Sequence, residues 1–308
     1  MSKRDKKKLF MLVLIFLLGL LSFLNERYDL EGVLSGNKNS VVQNSDGKTA
    51  DEEMYYVHFI DVGQGDSTLF ETSEGKYVLV DASTGAAEIK LVSYLRNEGV
   101  EQLEYVIFTH PHEDHIGGGD AVLESFEVKN VYMTDKTENT SAFERLVDAL
   151  YESVEQKGTK VMQPSVGETF SVDKMEFTVL SDGRGYEDLN DASICIKAAY
   201  GESGIVITGD AGAEVERKIL EGGFDVEAEI MKLGHHGSSS SNSDAFLDAV
   251  QPEAVIASCE KDNDYGHPHV EVRRAADKRN IPLYRTDLDG DVVFAFDRES
   301  IILPSFEN

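Results

Sequence analysis

Tryptophan is absent from the 308 residues, cysteine occurs twice, and proline occurs six times. So little cysteine excludes a small disulfide-stapled fold, and neither Cys195 in SICI nor Cys259 in IASCE has the CxxC spacing of a thiolate metal or redox site. Both lie in apolar, strand-like runs, where cysteine acts as a small buried hydrophobe. A bridge between them would require the fold to bring them together. Basic residues are also scarce, 29 Lys+Arg against 57 Asp+Glu, for a net charge of −28. Residues 1–8 hold five basic residues and Asp5, a local +4, which leaves −32 on everything after them. A surface this acidic repels phosphate polymers at long range, apart from any basic channel or bound metal. It speaks against nonspecific nucleic-acid binding and leaves the substrate open.

Long apolar runs are rare too, and one stands out. MSKRDKKK is followed by LFMLVLIFLLGLLSFL, uncharged from Leu9 to Leu24. As a helix it would span about 24 Å at ~1.5 Å per residue, a little short of a ~30 Å hydrocarbon core. Snorkelling flanks or local thinning make up such a difference. The basic flank is expected to stay in the cytoplasm, with the bulk of the chain outside. No A-x-A-like site follows Leu24, and no cysteine marks a lipoprotein. The expectation is a single-pass anchor in the cell membrane carrying an extracellular domain, with secretion after cleavage as the alternative. Asn25–Glu53, rich in Asn, Ser, Gly and acids, reads as a flexible linker. The plan is therefore a cytoplasmic basic segment at 1–8, an anchor at 9–24, a linker at 25–53 and a folded domain at 54–308.

At 41% hydrophobic, the chain can bury a full core. From Met54 the pattern becomes short apolar runs separated by helical periodicity. YYVHFID, STLFE and YVLVD predict consecutive strands, and AAEIKLVSYLRNEG a helix closed by glycine. EYVIFTH and VKNVYM predict strands flanking a short helix, and SAFERLVDALYESVEQKG predicts the longest helix. MEFTVLS, ASICIKAAY, GIVITGD, AEIMKLG, EAVIASC, IPLYRT and DVVFAFD continue as strands, with helices at AGAEVERKILEGG, SDAFLDAV and VEVRRAADKR. Runs of strands that give way to strand–helix alternation predict an α+β or α/β architecture, with helices outside two sheets.

FTHPHEDHIGGG, Phe108–Gly119, gathers His110, His112, Glu113, Asp114 and His115 directly after a strand. Pro111 stops the strand, and the glycines let the backbone pass close to a site. Imidazoles and carboxylates are the ligands preferred by Zn2+, Mn2+ and iron, with no cysteine competing. Residues two apart on an extended turn can aim at one ion, and Asp114 with His115 at a second ion beside it.

H-x-H-x-D-H after a strand resembles the hallmark of the metallo-β-lactamase superfamily, which implies a four-layered αββα sandwich with a two-metal site. FIDVGQGDS (Phe59–Ser67), ITGDAGAEVE (Ile207–Glu216), MKLGHHGSSSS (Met231–Ser241), NDYGHPH (Asn263–His269) and YRTDLDG (Tyr284–Gly290) resemble one branch, the hydrolase domain at the C-terminus of ComEC competence DNA-uptake proteins. By that resemblance 54–308 is a hydrolase domain, a stand-alone form on one anchor. His110 and His112 correspond to ligands of the first metal, Asp114 and His115 to ligands of the second. Asp210 corresponds to the bridging aspartate, although TGD-A-G also suits a helix cap. Of the adjacent pair, His236 is assigned as ligand and His235 as an acid or hydrogen-bonding group. His267 is a ligand or a donor to the leaving oxygen. Asp81 corresponds to a support for the histidines. Asp66 is assigned to the same rim, touching substrate or merely shaping a turn, and Lys232 to offsetting phosphate charge. Where the superfamily has a further first-metal histidine this chain reads LNDASICI, so Asp191 is the candidate ligand there.

Two divalent ions, Zn2+ or Mn2+, would lower the pKa of a bridging water from ~16 toward ~7 and stabilise charge at an attacked phosphorus. Asp114 would orient the nucleophile, and His235 or His267 would assist the leaving group. The resemblance implies a phosphodiesterase or nuclease with DNA as substrate. The acidic surface keeps two alternatives open: a metallohydrolase of a small exported phosphoester, ester or lactam, and a non-catalytic metal-binding surface protein. Lys157, Lys160, Arg273, Arg274, Lys278 and Arg279 are the candidate basic contacts.

Overall fold

Alternation along the first strand sets the architecture. In β1 (Tyr55–Phe59), Tyr55, Val57 and Phe59 enter a core shared by two sheets, while the period of two turns His58 the other way. The computed structural model describes residues 53–304, the folded unit beginning at Met54. The expected anchor at 9–24 and nearly all of the linker lie outside the described residues. Among the described residues no helix is long and apolar enough to cross a membrane.

From β1 the chain runs antiparallel through β2 (Thr68–Glu71) and β3 (Tyr77–Val80), then parallel through β4 (Gln102–Ile107), β5 (Glu127–Tyr132) and β6 (Lys160–Met162). A second sheet repeats the scheme. β7 (Thr169–Val172), β8 (Met175–Asp182), β9 (Ile194–Tyr200) and β10 (Ser203–Ile207) are antiparallel; β11 (Ile230–Lys232), β12 (Ala254–Ala257) and β13 (Leu283–Arg285) add on in parallel. The chain then returns to the first sheet as β14 (Val292–Phe296) and β15 (Ile301–Ile302), closing it in the order β15-β14-β1-β2-β3-β4-β5-β6.

Parallel neighbours require crossovers, and helices supply them. In the first sheet they are α1 (Glu88–Asn97), the turn α2 (Glu113–Ile116), α3 (Gly119–Ser125) and α4 (Ser141–Lys157); in the second, α5 (Ala213–Glu221), α6 (Asp244–Val250) and α7 (Val270–Lys278). α4 shows why the sequence folds this way. Thr140 accepts Phe143 N at 3.3 Å as N-cap, Phe143, Leu146, Val147 and Leu150 are buried, and Gly158 ends the helix at φ +74°. Outside the second sheet, Val215, Ile219, Phe246, Leu247 and Val272 of the helices pack on Val206, Met231 and Val255. The result is the expected pair of sheets faced by helices.

The sequence pattern missed β6, β7 and β15, which are short and partly exposed, and the α2 turn inside the histidine motif. Cys195 and Cys259 are both free and buried. Each thiol has its own contact instead, Cys195 with Thr208 O at 3.4 Å and Cys259 with an Asp287 oxygen at 3.4 Å. Burial and Asp287 push the Cys259 thiol up to about 12.

Candidate metal centre

The carboxyl ends of β3, β4, β10 and β11 converge, and each delivers part of the site. After β3 comes Asp81, whose Oδ1 accepts Thr109 N at 2.8 Å and whose Oδ2 accepts Thr109 Oγ1 at 2.8 Å. Asp81 Oδ2 also lies 2.7 Å from His115 Nδ1, which leaves His115 Nε2 facing Asp210 Oδ1 at 3.2 Å. Burial raises the Asp81 pKa, opposed by His115.

After β4, His110 turns Nδ1 toward Thr109 Oγ1 at 3.1 Å and Ser193 Oγ at 3.4 Å. Its Nε2 lies 3.0 Å from His112 Nδ1 and 3.8 Å from Asp210 Oδ2. Burial and neighbouring His115 hold its pKa well below the ordinary 6.5. His112 is the residue before α2, so Asp114 and His115 share one helical turn instead of lying on the extended loop expected of the motif. Gly117 permits this turn, because a Cβ there would collide with the backbone of Thr84 and Gly85.

Asp210 follows β10. It does not cap α5, whose N-cap is Gly212 without any side-chain bond; its carboxylate faces the histidines instead. Although burial opposes it, His115 and His236 hold the Asp210 pKa well below 3.8. After β11, His235 and His236 both adopt left-handed backbone, at φ 52° and 55°, and their rings diverge. His236 Nδ1 donates to Ser258 O at 3.0 Å, and its Nε2 lies 3.3 Å from Asp114 Oδ2 and 3.8 Å from Asp210 Oδ2. His235, on the open side, sits with Nε2 3.6 Å from Asp210 Oδ2, and burial lowers its pKa. Asp114 is also held low, by His115 and His236, despite its burial.

His115 Nε2, His236 Nε2 and Asp210 Oδ1 are buried without hydrogen-bond partners. Ligand atoms of Asp66, His115, Asp210 and His236 all lie within 4.8 Å of one another. Converging, unpartnered imidazole nitrogens and carboxylate oxygens fit a divalent ion of the Zn2+ or Mn2+ kind.

Three residues have roles other than those expected of them. Asp66 and Lys232 are each 1% exposed, with Oδ2 and Nζ 2.5 Å apart, so neither reaches a substrate. Asp66 instead lies behind the histidines, 3.9 Å from His115 Nδ1 and 3.7 Å from His236 Nδ1. Asp191 Oδ1 accepts Gly212 N at 2.9 Å and shapes the entry to α5. Its neighbour Asn190 faces the cleft beside His112, with Oδ1 buried and unpartnered. The sequence signal for Asn190 was the missing histidine itself.

The cleft holds about 440 Å³, and its walls include His112, Asn190, Asp210, His235, Tyr265 and His267. Tyr265 is 66% exposed and stacks on His267 at an interplanar angle of 18°. Burial, then His236, His269 and His235, lower the His267 pKa to about 4, so its ring is neutral near pH 7. Two of the other candidate cations are occupied. Lys157 Nζ donates to Leu123 O and Phe126 O, and Arg279 pairs with Asp244 and Asp248.

The family described as "Metallo-beta-lactamase superfamily" matches residues 60–260. ComE operon protein 3 of Bacillus subtilis is 27% identical over 258 residues, 78% of this chain and 33% of that protein. Competence protein ComA of Neisseria gonorrhoeae is 30% identical over 243 residues, 78% of this chain and 32% of that protein. Recombination protein 2 of Haemophilus influenzae is 25% identical over 253 residues, 80% of this chain and 29% of that protein. The chain thus spans about a third of the length of these relatives. Among solved structures, the metallo-beta-lactamase fold protein YhfI of Bacillus subtilis superposes with a TM-score of 0.55 at 14% identity, covering 80% of this chain and all of YhfI. Igni18, a metallo hydrolase of Ignicoccus hospitalis, gives 0.52 at 15% identity over 79% of this chain.

Proposed function

Because the chain belongs to the metallo-β-lactamase superfamily, we propose that it is a metal-dependent phosphodiesterase of the ComEC type, held at the outer face of the membrane by residues 9–24. The observation that carries this reading is the set of unpartnered donors, His115 Nε2, His236 Nε2 and Asp210 Oδ1, at the base of an open cleft. The names of the relatives, competence and recombination proteins, make DNA the first substrate to try.

His110, His112, Asp114, His115, Asp210 and His236 would hold two divalent ions. Bound there, they would supply Lewis acidity to the phosphoryl group and acidify a water. Asp114, ionised because His115 and His236 hold its pKa low, would accept a hydrogen bond from the attacking water. Asp210 faces both His110 and His115 and would be shared by the two ions. His235 and His267, both kept neutral, present ring nitrogens from the cleft wall and hydrogen-bond the leaving oxygen. Tyr265 offers an exposed ring on which a base can stack.

The occupied state of Lys157, Lys232 and Arg279 favours a second reading, a small phosphodiester substrate in place of a DNA strand. Incubating the purified protein with Mn2+, and separately Zn2+, on DNA and on bis(nitrophenyl) phosphate separates the two. Cleavage of both supports the nuclease, and cleavage of the small ester alone supports the second reading. Inertness with metal bound would leave a metal-binding protein without this chemistry. Turnover should collapse in His112→Ala, Asp114→Ala and Asp210→Ala.

A further inference from the structure

The face of β1 turned away from the inter-sheet core carries His58, paired in register with Leu69 of β2 and Val293 of β14. Glu71 stands opposite Tyr56, so His58 and Glu71 are diagonal neighbours on that same face. Glu98, at the C-terminal cap of α1, closes the third side. Ligand atoms of His58, Glu71 and Glu98 lie within 4.8 Å of one another and line a cavity of about 310 Å³. His58 is only 4% exposed, and its Nε2 has no hydrogen-bond partner.

We propose that His58, Glu71 and Glu98 form a separate divalent-cation site that ties the end of α1 to the first sheet. One imidazole nitrogen and two carboxylates, with water completing the shell, suit Zn2+ or Mn2+ better than Ca2+ or Mg2+, which take all-oxygen shells. His58 Nδ1 lies 2.8 Å from Tyr94 OH of α1. When Nδ1–H donates to that phenol, the Nε2 lone pair faces the carboxylates, the tautomer a metal ligand requires. The competing arrangement is a protonated imidazole bonded to Glu71. Here Nε2 and Glu71 Oε2 are 3.5 Å apart, well beyond the ~2.7–2.9 Å of a charge-assisted hydrogen bond. The gap is one that a cation would bridge. The site is distinct from the metal centre, since Asp66 and Glu71 are five residues apart on an extended segment, about 17 Å at ~3.4 Å per residue.

The test is elemental analysis and thermal unfolding of the full chain, stripped with chelator and reloaded with Zn2+. Glu98→Gln, nearly isosteric, should lower bound zinc by one ion per chain and reduce the gain in Tm on reloading. His58→Gln should do the same. Asp210→Ala, which disables the catalytic centre, should retain one ion, lost again when Glu98→Gln is added. Failure of the main centre and failure of this site are thereby read separately. Unchanged zinc content and an unchanged Tm gain in Glu98→Gln would overturn the proposal.

Discussion

Lys232 Nζ lies 2.5 Å from Asp66 Oδ2 behind the metal-facing histidines, and both residues are almost wholly excluded from water. The lysine therefore neutralises an internal carboxylate and does not offset charge on a substrate. Removing one member of a buried pair leaves the other charge uncompensated, at a cost of about 3–5 kcal/mol. Lys232→Met is expected to lose stability on that scale in denaturant unfolding. Asp66→Asn combined with Lys232→Met should recover much of it, because no lone charge remains. A single variant as stable as wild type would show that the pair is not an ion pair in solution.

Asp81 acts on the ions through His115. Its Oδ2, 2.7 Å from Nδ1, accepts the hydrogen bond of Nδ1–H and so directs Nε2 toward a metal. Asp81→Asn can still accept Thr109 N, but its amide nitrogen cannot accept from Nδ1–H. The ring is then driven to the tautomer with a proton on Nε2. Metal affinity should fall by ~10–100-fold, read by titration with Zn2+ or Mn2+. Unchanged affinity would remove Asp81 from the orientation of His115.

How much of this was legible depends on which physical rule was at work. The strands and longer helices followed from alternation and periodicity, because Tyr55, Val57 and Phe59 must turn inward together and Leu146 with Leu150 must share a helix face. Strand order was not legible, since pairing β10 with β11 and returning β14 to β1 is decided by contacts distant in the chain. At the site, the spacing of His110, His112, Asp114 and His115 announced the centre. The sequence does not tell a rim residue from a buried one, and so leaves Asp66 between substrate contact and turn and points Lys232 at substrate charge, when both are buried. Nor could it show that Asp191 gives an oxygen to Gly212 while Asn190 faces the cleft. His58 gave no signal at all, because its partners Glu71 and Glu98 meet it only through the sheet register and the end of α1.

The two ion positions are unequally provided. Asp210 reaches both sides, but His115, His236 and Asp114 crowd one, whereas His110 and His112 on the other are joined by the neutral side chains of Asn190 and Ser193. Metal titration should therefore resolve a tight and a weak class of ion at the catalytic centre. Asn190→His, which adds an imidazole beside His112, should strengthen the weak class alone. A single class of equal sites in wild type would contradict this asymmetry.

Proton release on metal loading follows from the charges around His115 and His236. Burial alone would lower the His115 pKa, but Asp210, Asp81 and Asp114 together raise it well above 6.5. His236 is likewise raised, against burial, by Asp66 and Asp210. The raised value of His115 stabilises the metal-free fold fully below pH ~6.5 and is lost as pH climbs through the folded pKa. The lowered value of Asp210 contributes above the ordinary carboxylate pKa of 3.8 and is lost as pH falls through its folded value. These two groups together therefore support the metal-free fold most between those bounds. A cation must evict the imidazole protons, so its affinity should climb with pH until His115 and His236 are already neutral, then level off. Calorimetric titration near pH 7 in buffers of different ionisation enthalpy should read a net release of protons on loading. Binding heats that do not vary with buffer would mean that both rings are neutral before the metal arrives.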